Sequence, residues 1–381
     1  MSERTAPVPM GTFLAYFLRL GTLGFGGPIA LAGAMHRDLV ETRGWITEAD
    51  YQEGLTLAQV SPGPLAAQLA IYLGYVRGGI LGANLVGLAF ILPSFLMVLG
   101  LAALYLRFGG LHWMQAVFYG VGAAVIGLII RSAFKLAKST LKKDPLAYGI
   151  FAVVGVTTAI SGREWVLLVI GGGLLFWIVK TRPWRNGSVT LSLIPTFWLT
   201  GLHGPAALTA VGGIFLFFAK AGLFVFGSGL AIVPFLHGTV VSEFRWLTEQ
   251  QFLDAVAVAM ITPGPVVITV AFIGYLVAGP LGAGAAALGV FLPVLVVVII
   301  AAPLLRRYGQ RPGLKALVQG ITAGAAGAIA GSVVVLGRGA VRDLPTAIIA
   351  ISTLLLVWKT KVPEPILVLL AAVAGGLLFH G

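Results

Sequence analysis

The chain carries the same pattern twice, and this internal repeat constrains its fold more than any other feature. Positions between Phe17 and Pro64 recur 201 residues further on, between Phe218 and Pro265, without an insertion. The recurring residues, identical except for Lys220 in place of Arg19, are Phe17, Arg19, Gly21, Phe25, Gly26, Ala30, His36, Val40, Trp45, Thr47, Glu48, Ala58, Pro62, Gly63 and Pro64. Further matches follow at a spacing of 200, from Gly74 to Gly127. Two copies of one structural unit explain this series, and chance alignment of apolar sequence does not.

Composition places both copies in a lipid bilayer. Of the 381 residues, 58% are hydrophobic and only 10% are charged, which is too apolar for a water-soluble globule. Runs such as 80–106 and 281–305 exceed the roughly 20 residues with which a helix spans the hydrocarbon layer. The alternation of a membrane β-barrel is missing from the sequence. We therefore predict an all-α polytopic membrane protein.

Charge and cysteine content exclude several function classes. The net charge of +12 comes from short loops between apolar runs, which indicates loops retained in the cytoplasm and not nucleic-acid binding. The chain has no Cys, and its His residues lack a second ligand at metal-binding spacing, so we expect no metal and no cofactor. The phosphate-binding loop of an ATPase is also missing, so any transport would run on ion gradients.

The repeat divides the chain into four parts. These are an N-terminal tail 1–10, a first copy 11–180, a linker 181–205 and a second copy 206–381. In each copy two segments interrupted by Gly and Pro precede four apolar helices, which in the first copy lie near 80–106, 114–136, 145–161 and 164–180.

Loop charges predict that the two copies are inverted relative to each other. Alternate loops of the first copy carry few basic residues on one side, namely Arg37, Arg43, Arg107 and Arg163. The other side carries many, namely Arg77, Arg131, Lys135, Lys138, Lys142, Lys143, Lys180, Arg182 and Arg185. In the second copy the bias reverses. Because basic loops stay in the cytoplasm, the copies should have opposite orientations, with 189–202 as a central crossing. Paired copies with interrupted helices are typical of secondary transporters.

Four clusters of Gly and Pro interrupt the helices at symmetric positions. They are Phe25-Gly26-Gly27-Pro28 with Phe226-Gly227-Ser228-Gly229, and Ser61-Pro62-Gly63-Pro64 with Thr262-Pro263-Gly264-Pro265. Helices that break inside the membrane expose amides at fresh N-termini, which bind anions. We expect Pro64 and Pro265 to begin new helices. The alternative is that these residues only kink or pack helices.

The predicted anion site combines these breaks with two basic residues. Arg19 and Lys220 are repeat-equivalent and embedded in apolar sequence, where a cation usually faces a cavity or a partner. The alternative is that both side chains reach the membrane surface. The backbone and hydroxyl groups assigned to the site belong to Gly26, Gly27, Ser61, Gly63, Gly227, Ser228, Thr262 and Gly264, and the helix-breaking prolines are Pro28, Pro62, Pro64, Pro263 and Pro265.

Two equivalent carboxylates precede the second break of each copy. Glu53 and Asp254 lie about two turns before the Pro-Gly-Pro sequences. A carboxylate at that depth can take up a proton and couple transport to the proton gradient. It can equally form a static ion pair with Arg19 or Lys220, and the sequence leaves both readings open.

The order of these motifs resembles the chromate ion transporter family. The series is Phe-Gly-Gly-Pro, a Trp-Ile-Thr-Glu or Trp-Leu-Thr-Glu helix start, Ala-Gln-Val-Ser-Pro-Gly-Pro, then Gly-Tyr and a long helix with Pro93. The resemblance covers nearly the whole chain, in the two-domain form of that family. It implies a plasma-membrane protein that exports chromate, with sulfate as a similar oxyanion, and that confers chromate resistance. The second copy departs from the pattern, with Ser228-Gly229 for Gly27-Pro28 and Met260 for Gln59.

Other functions stay open at this point. Sulfate or another small anion would satisfy the same site, and a passive anion channel would not require Glu53 or Asp254. A membrane-embedded lipid pyrophosphate phosphatase also uses broken helices, but it needs a nucleophile, a base and clustered Arg residues. The sequence leaves the oligomeric state open, a homodimer included.

Overall fold

The computed structural model describes residues 8–25, 27–61, 63–108, 112–142, 144–162, 165–181, 210–223, 226–227, 232–308, 312–360 and 362–379. The first copy consists of α1 Met10–Leu23, α2 Gly27–Met35 with a π-helical continuation His36–Thr42, α3 Glu48–Val60, the two-residue strand β1 Gly63–Pro64, α4 Leu65–Phe108, α5 His112–Leu141, α6 Pro145–Ser161 and α7 Val166–Thr181.

The second copy repeats this order of helices, but its strand lies at the first break and not at the second. It consists of α8 Ala210–Gly222, β2 Phe226–Gly227, α9 Ile232–His237 with a π-helical continuation Gly238–Glu243, α10 Glu249–Ile261, a 3-10 turn Val266–Ile268, α11 Thr269–Tyr308, α12 Pro312–Ala340, α13 Leu344–Lys359 and α14 Glu364–Leu378. The kinks also recur, at Gly78–Gly79 in α4 and at Ala278–Gly279 in α11. Gly79 and Gly279 have φ values of 61° and 62°, which favour glycine.

Four of the described helices are long and apolar enough to cross a bilayer. They lie within α4, α5, α11 and α12, and shorter apolar helices surround them. The outward faces of these helices are apolar, with Leu88, Leu96 and Leu288 each more than half exposed, as expected for side chains that face lipid. The prediction of an all-α polytopic membrane protein is confirmed.

The interrupted segments of the first copy form two hairpins that open at the same end of the molecule. α3 and the start of α4 run antiparallel, because Gly54 packs on Tyr72 while Ser61 and Gly63 lie at the tip. The Phe13 ring of α1 lies 6.2 Å from that of Trp45, and Arg77 donates a 2.7 Å hydrogen bond to the Val8 carbonyl. Helices of 13 or 14 residues are about 20 Å long, so the tips lie inside the membrane.

This geometry corrects one expectation about sidedness. The sequence argument put Arg37 and Arg43 on the opposite side from Arg77, because it took each interrupted segment as a full crossing. The segments turn back at their breaks, so Arg43, which stacks on Trp45 at 4.5 Å, lies at the same end as Arg77. The predicted central crossing, 189–202, lies outside the described residues.

The equivalent helices α5 and α12 run antiparallel. Gln319 near the start of α12 donates to the Thr140 carbonyl near the end of α5 at 3.4 Å, while Gly337 near the end of α12 approaches Ile126 in the middle of α5. Each helix packs mainly on the outer helices of the other copy: α5 on α13 and α14, and α12 on α6 and α7. Antiparallel equivalents are the geometry that inverted repeats require.

Glycines allow this close packing between the copies. Gly327 of α12 lies against the carbonyl of Phe151 on α6, and Gly120 of α5 lies against that of Ala371 on α14. A Cβ at either position would overlap the neighbouring backbone. Small residues at such crossings let membrane helices approach closely.

Candidate functional site: the meeting of four helix breaks

The four breaks meet in reciprocal pairs across the two copies. The second break of the first copy pairs with the first break of the second copy, as β1 and β2 lie parallel with Gly63 opposite Phe226 and Pro64 opposite Gly227. The reciprocal contact is a hydrogen bond of 2.8 Å from the Gly264 amide to the Gly24 carbonyl. Both pairs therefore join backbone groups of different copies.

Only glycine fits at two of these positions. Gly63 and Gly264 have φ values of 135° and 95°, a region that L side chains rarely adopt. A Cβ on Gly264 would overlap the Ser94 hydroxyl, and one on Gly63 would press on the buried Gln68 at 2.6 Å. Both tips therefore lie close against α4, and that of Gly63 also lies close to Val294 of α11.

Each second break is followed by a helix N-terminus in the interior. α4 begins at Leu65 and its first ten residues are buried, while the 3-10 turn that leads into α11 begins at Val266 with similar burial. The prolines precede these starts by one residue, so the expectation that Pro64 and Pro265 open the helices is wrong by one position. The N-terminal amides still supply donors and the positive end of a helix dipole.

Of the three hydroxyls predicted for the site, the two that lie in the described residues donate to carbonyls of their own helices. Ser61 donates to the Leu57 carbonyl at 2.6 Å, and Thr262 donates to the Val258 carbonyl at 3.0 Å. An anion would have to compete with these bonds or use the oxygen lone pairs through water.

Other predicted site residues are placed as follows. Pro28 is half-buried in the first turn of α2, and Pro263 and Pro265 are buried at the fourth break. Gly27 begins α2 with a φ of 76°. Gly26, Pro62 and Ser228 lie outside the described residues.

Arg19 and Lys220 occupy equivalent places near the ends of α1 and α8. Arg19 is exposed one turn before α1 ends at Leu23, and Lys220 is half-buried in the last turn of α8. Neither side chain has a hydrogen bond or an ion pair with any other residue that the structure describes. Each lies six positions before the first residue of its copy's first break, Phe25 or Phe226, and its role at the anion site stays a prediction.

The two predicted coupling carboxylates have different surroundings. Asp254 is 3% exposed on α10, where it accepts hydrogen bonds from the Tyr105 hydroxyl at 2.7 Å and from Gln250 at 2.8 Å. Glu53 is half-exposed on α3. The sequence argument missed Tyr105, whose signal was a lone tyrosine in an apolar run where the second copy has Leu305.

Charged clusters at the hairpin ends stabilise the fold outside the membrane. Glu48 lies 2.8 Å from His36, and hydrogen bonds from Gln52 and then His36 lower its pKa. Among the residues described, no group of three or more His, Cys, Asp or Glu side chains could hold a metal ion.

Comparison with known sequences decides the family. The sequence model of the chromate transporter family matches residues 11–177 and again 212–377. The chain belongs to the chromate transporter family. The repeat seen in the sequence is thus two copies of this family's domain.

Members of the chromate transporter family resemble the chain over nearly its full length. A probable chromate transport protein from Synechococcus elongatus is 56% identical over 370 residues, which cover 94% of this chain and 93% of that protein. The chromate transport protein of Cupriavidus metallidurans is 55% identical over 98% of this chain and 94% of its own length. That of Pseudomonas aeruginosa is 32% identical over 99% and 95%. No solved structure gives a significant match to the chain.

Proposed function

We propose that this protein is a secondary active transporter that exports chromate across the plasma membrane and thereby confers chromate resistance. The observation that carries the proposal is the reciprocal meeting of four helix breaks between two antiparallel copies. Inverted copies whose broken helices meet near the membrane midplane bind substrate at that interface. Two relatives at 55% and 56% identity are named as chromate transport proteins, which also favours transport over the phosphatase alternative.

A tetrahedral dianion suits the chemistry of this interface. The helix starts at Leu65 and Val266 offer backbone amides, and Arg19 and Lys220 offer one positive charge from each copy. Charged donors form shorter and stronger hydrogen bonds to oxyanions than neutral donors do. Sulfate has the same charge and shape, so we propose it as a competing substrate of the same site.

The distribution of charge supports an orientation. Basic side chains collect at the end where the hairpins of the first copy open, which we call the basic end and which carries Arg37, Arg43, Arg77, Lys142, Lys180 and Lys359. In the part of the chain that the structure describes, fewer lie at the opposite end, where they include Arg107, Arg245, Arg338 and Arg342. The positive-inside rule assigns the basic end to the cytoplasm.

Proton coupling would use the two carboxylates beside the breaks. Glu53 on α3 lies nearer the basic end, and Asp254 on α10 lies nearer the opposite end. A proton-linked cycle needs groups that change protonation on the two sides of a substrate site. The pair satisfies this requirement.

Uptake of labelled chromate into everted vesicles tests the anion site. We expect Arg19→Ala and Lys220→Ala to lower uptake about tenfold or more, because each removes a charge-assisted contact worth about 1.5–3 kcal/mol. Arg338→Ala is the matched control, since it removes an exposed charge at the opposite end. Normal uptake by both site variants at normal protein level would refute the site.

A second comparison tests coupling and substrate. An imposed proton gradient should change uptake by the wild type, and this response should be lost in Glu53→Gln or Asp254→Asn. A full response in both variants would refute coupling through these groups, and flux unaffected by the gradient in the wild type would indicate a channel. Excess sulfate should reduce chromate uptake if both oxyanions share the site.

A further inference from the structure

The two copies differ along one helical face that the repeat would otherwise make equivalent. In the first copy α3 presents Gln52, Thr56 and Gln59, which lie one helical turn or so apart on a single face. Gln52 and Gln59 are exposed and Thr56 is half-exposed. In the second copy the equivalent residues of α10 are Leu253, Ala257 and Met260, which are 1%, 1% and 5% exposed.

The packing around each helix accounts for the difference in burial. α10 is covered by α5 of the first copy and by α14 of its own copy. The hydroxyl of Tyr105 on α4 also binds Asp254 of α10. A cavity of about 500 Å³ beside α10 is lined by Phe118, Val258 and Ile261 together with Tyr105, Trp113 and other mostly apolar side chains, and a lining of this kind holds water poorly. α3 packs mainly on α4 and α11, which leaves its polar face open.

Lipid does not account for the exposed face of α3. Where the described helices face lipid they present large apolar side chains, and they do so alike in both copies: Leu88 and its equivalent Leu288 are each 60% exposed. The Thr56 hydroxyl donates to the Gln52 carbonyl and the Gln52 amide donates to Glu48, each at 2.7 Å, so Gln59 is the residue of this face that decides the point. In hydrocarbon its amide group would be left unsatisfied. Gln59 forms no hydrogen bond with the residues that the structure describes. It lies two positions before Ser61, where the break begins.

We propose that the face of α3 formed by Gln52, Thr56 and Gln59 lines a water-filled vestibule that leads from the basic end to the helix breaks. The corresponding face of α10 is a sealed packing surface. The occupant of the vestibule is water together with the transported oxyanion, so this inference rests on the proposed function for the identity of its solute. In this arrangement α3 of the first copy lines the route from the basic end to the breaks, and the equivalent face of α10 in the second copy packs against neighbouring helices.

α1 carries a matching stripe on its own exposed side. Thr12, Ala15, Arg19 and Thr22 follow one another at helical spacing and are all exposed. Their equivalents in α8 are Gly213, Leu216, Lys220 and Leu223. The small and polar stripe of the first copy therefore ends near the cation that we assign to the anion site.

Single cysteines test the vestibule directly, because the chain has none of its own. We would place cysteine by Thr56→Cys and Gln59→Cys, by Ala257→Cys and Met260→Cys at the equivalent positions, and by Leu88→Cys as the lipid-facing control. A charged, membrane-impermeant methanethiosulfonate would be applied to everted vesicles and to intact cells. Methanethiosulfonates react with the cysteine thiolate, which forms only where water reaches the side chain.

We expect the two α3 cysteines to react in everted vesicles at least tenfold faster than the α10 and lipid-facing cysteines. Labelling of Gln59→Cys should also lower chromate uptake by everted vesicles, whereas treated Leu88→Cys should keep its uptake. Protein level and elution profile in detergent identify variants that fail to fold. Cysteine is close to threonine in size, so Thr56→Cys still tests the face if Gln59→Cys does not fold.

Three results would overturn the inference. The α3 cysteines could be as unreactive as Leu88→Cys, Met260→Cys could react as fast as Gln59→Cys, or Gln59→Cys could cross-link two chains, which would make the face a contact between protomers. Failure of the proposed function looks different, since wild-type vesicles would then take up no chromate while the labelling pattern stayed as described.

Discussion

The hydroxyl of Tyr105 donates a 2.7 Å hydrogen bond to Asp254, and this bond joins α4 of the first copy to α10 of the second. The carboxylate is buried, and it also accepts a hydrogen bond from Gln250 on its own helix. Gln250 in turn accepts from Arg342 at 3.0 Å. Tyr105 is thus the one described side chain of the first copy that holds this carboxylate in place.

Tyr105→Phe should lower stability. The substitution keeps the ring and its packing on Phe118 and Phe272 but leaves a buried carboxylate short of a donor, which costs about 1–3 kcal/mol. Thermal unfolding of the purified protein in detergent measures the loss. The matched control is Tyr119→Phe, which removes a 2.6 Å hydrogen bond to the exposed Asp343 and should cost under about 1 kcal/mol. Equal losses would contradict a special role for Tyr105.

Much of this architecture follows from sequence. The offset between Phe17 and Phe218 predicts two copies, and the apolar runs predict the long helices within a few residues of their bounds. Gly63 and Gly264 were predicted as breaks because glycine and proline disrupt helices. Their φ values of 135° and 95° agree with that reason.

The direction of the chain after each break did not follow from sequence. Ser61-Pro62-Gly63-Pro64 is compatible with a crossing that continues and with a hairpin that returns, and only packing such as Gly54 on Tyr72 decides between them. For this reason the side of the membrane predicted for Arg43 was wrong. The lone Tyr105 in an apolar run marks a polar contact, but the sequence does not say that its partner is Asp254, since 149 residues separate the two.

Gly264→Ala should abolish transport and lower protein yield. The methyl group would overlap the Ser94 hydroxyl, and the φ of 95° disfavours any L side chain. Chromate uptake and membrane protein level are the measurements. Gly33→Ala is the control, because a Cβ there has no neighbour within 4 Å and alanine favours the helix. Normal uptake by Gly264→Ala would show that the contact between the breaks is dispensable.

Gly327→Leu should separate the copies. The side chain would displace α12 from the Phe151 carbonyl on α6, and membrane helices at such crossings depend on close approach. We expect faster proteolysis of the purified protein and a loss of stability of about 2 kcal/mol or more. Gly149→Leu is the comparison, since Gly149 lies on the exposed side of α6 with open space around it. Similar sensitivity of both variants would argue against packing between the copies as the cause.

Asp144 should make stability depend on acid pH. It caps α6 by accepting from the Leu146 amide and lies 2.5 Å from Lys180 at the end of α7. The hydrogen bond from Lys180 is the largest of the causes that lower its pKa below the ordinary 3.8. The stabilisation is therefore complete well above pH 3.8 and is lost as the pH falls through the lowered value.

Asp144→Asn tests this pH dependence. Asparagine can still cap the helix, so the variant should unfold at a lower temperature than the wild type at pH 7, and the difference should shrink as the pH approaches 3. Lys180→Gln should reproduce the loss at pH 7. A constant difference at all pH values would mean that charge is not its origin.

The exchange of outer helices between the copies has a consequence for biosynthesis. α6 and α7 leave the ribosome long before α12, which is the helix they pack on. During translation the first copy is in the bilayer before the helix that its outer helices pack on, so this packing forms only after α12 has been synthesised. A ribosome that stalls before α12 would therefore release a chain with bare glycine-rich surfaces, which quality-control proteases in the membrane would recognise.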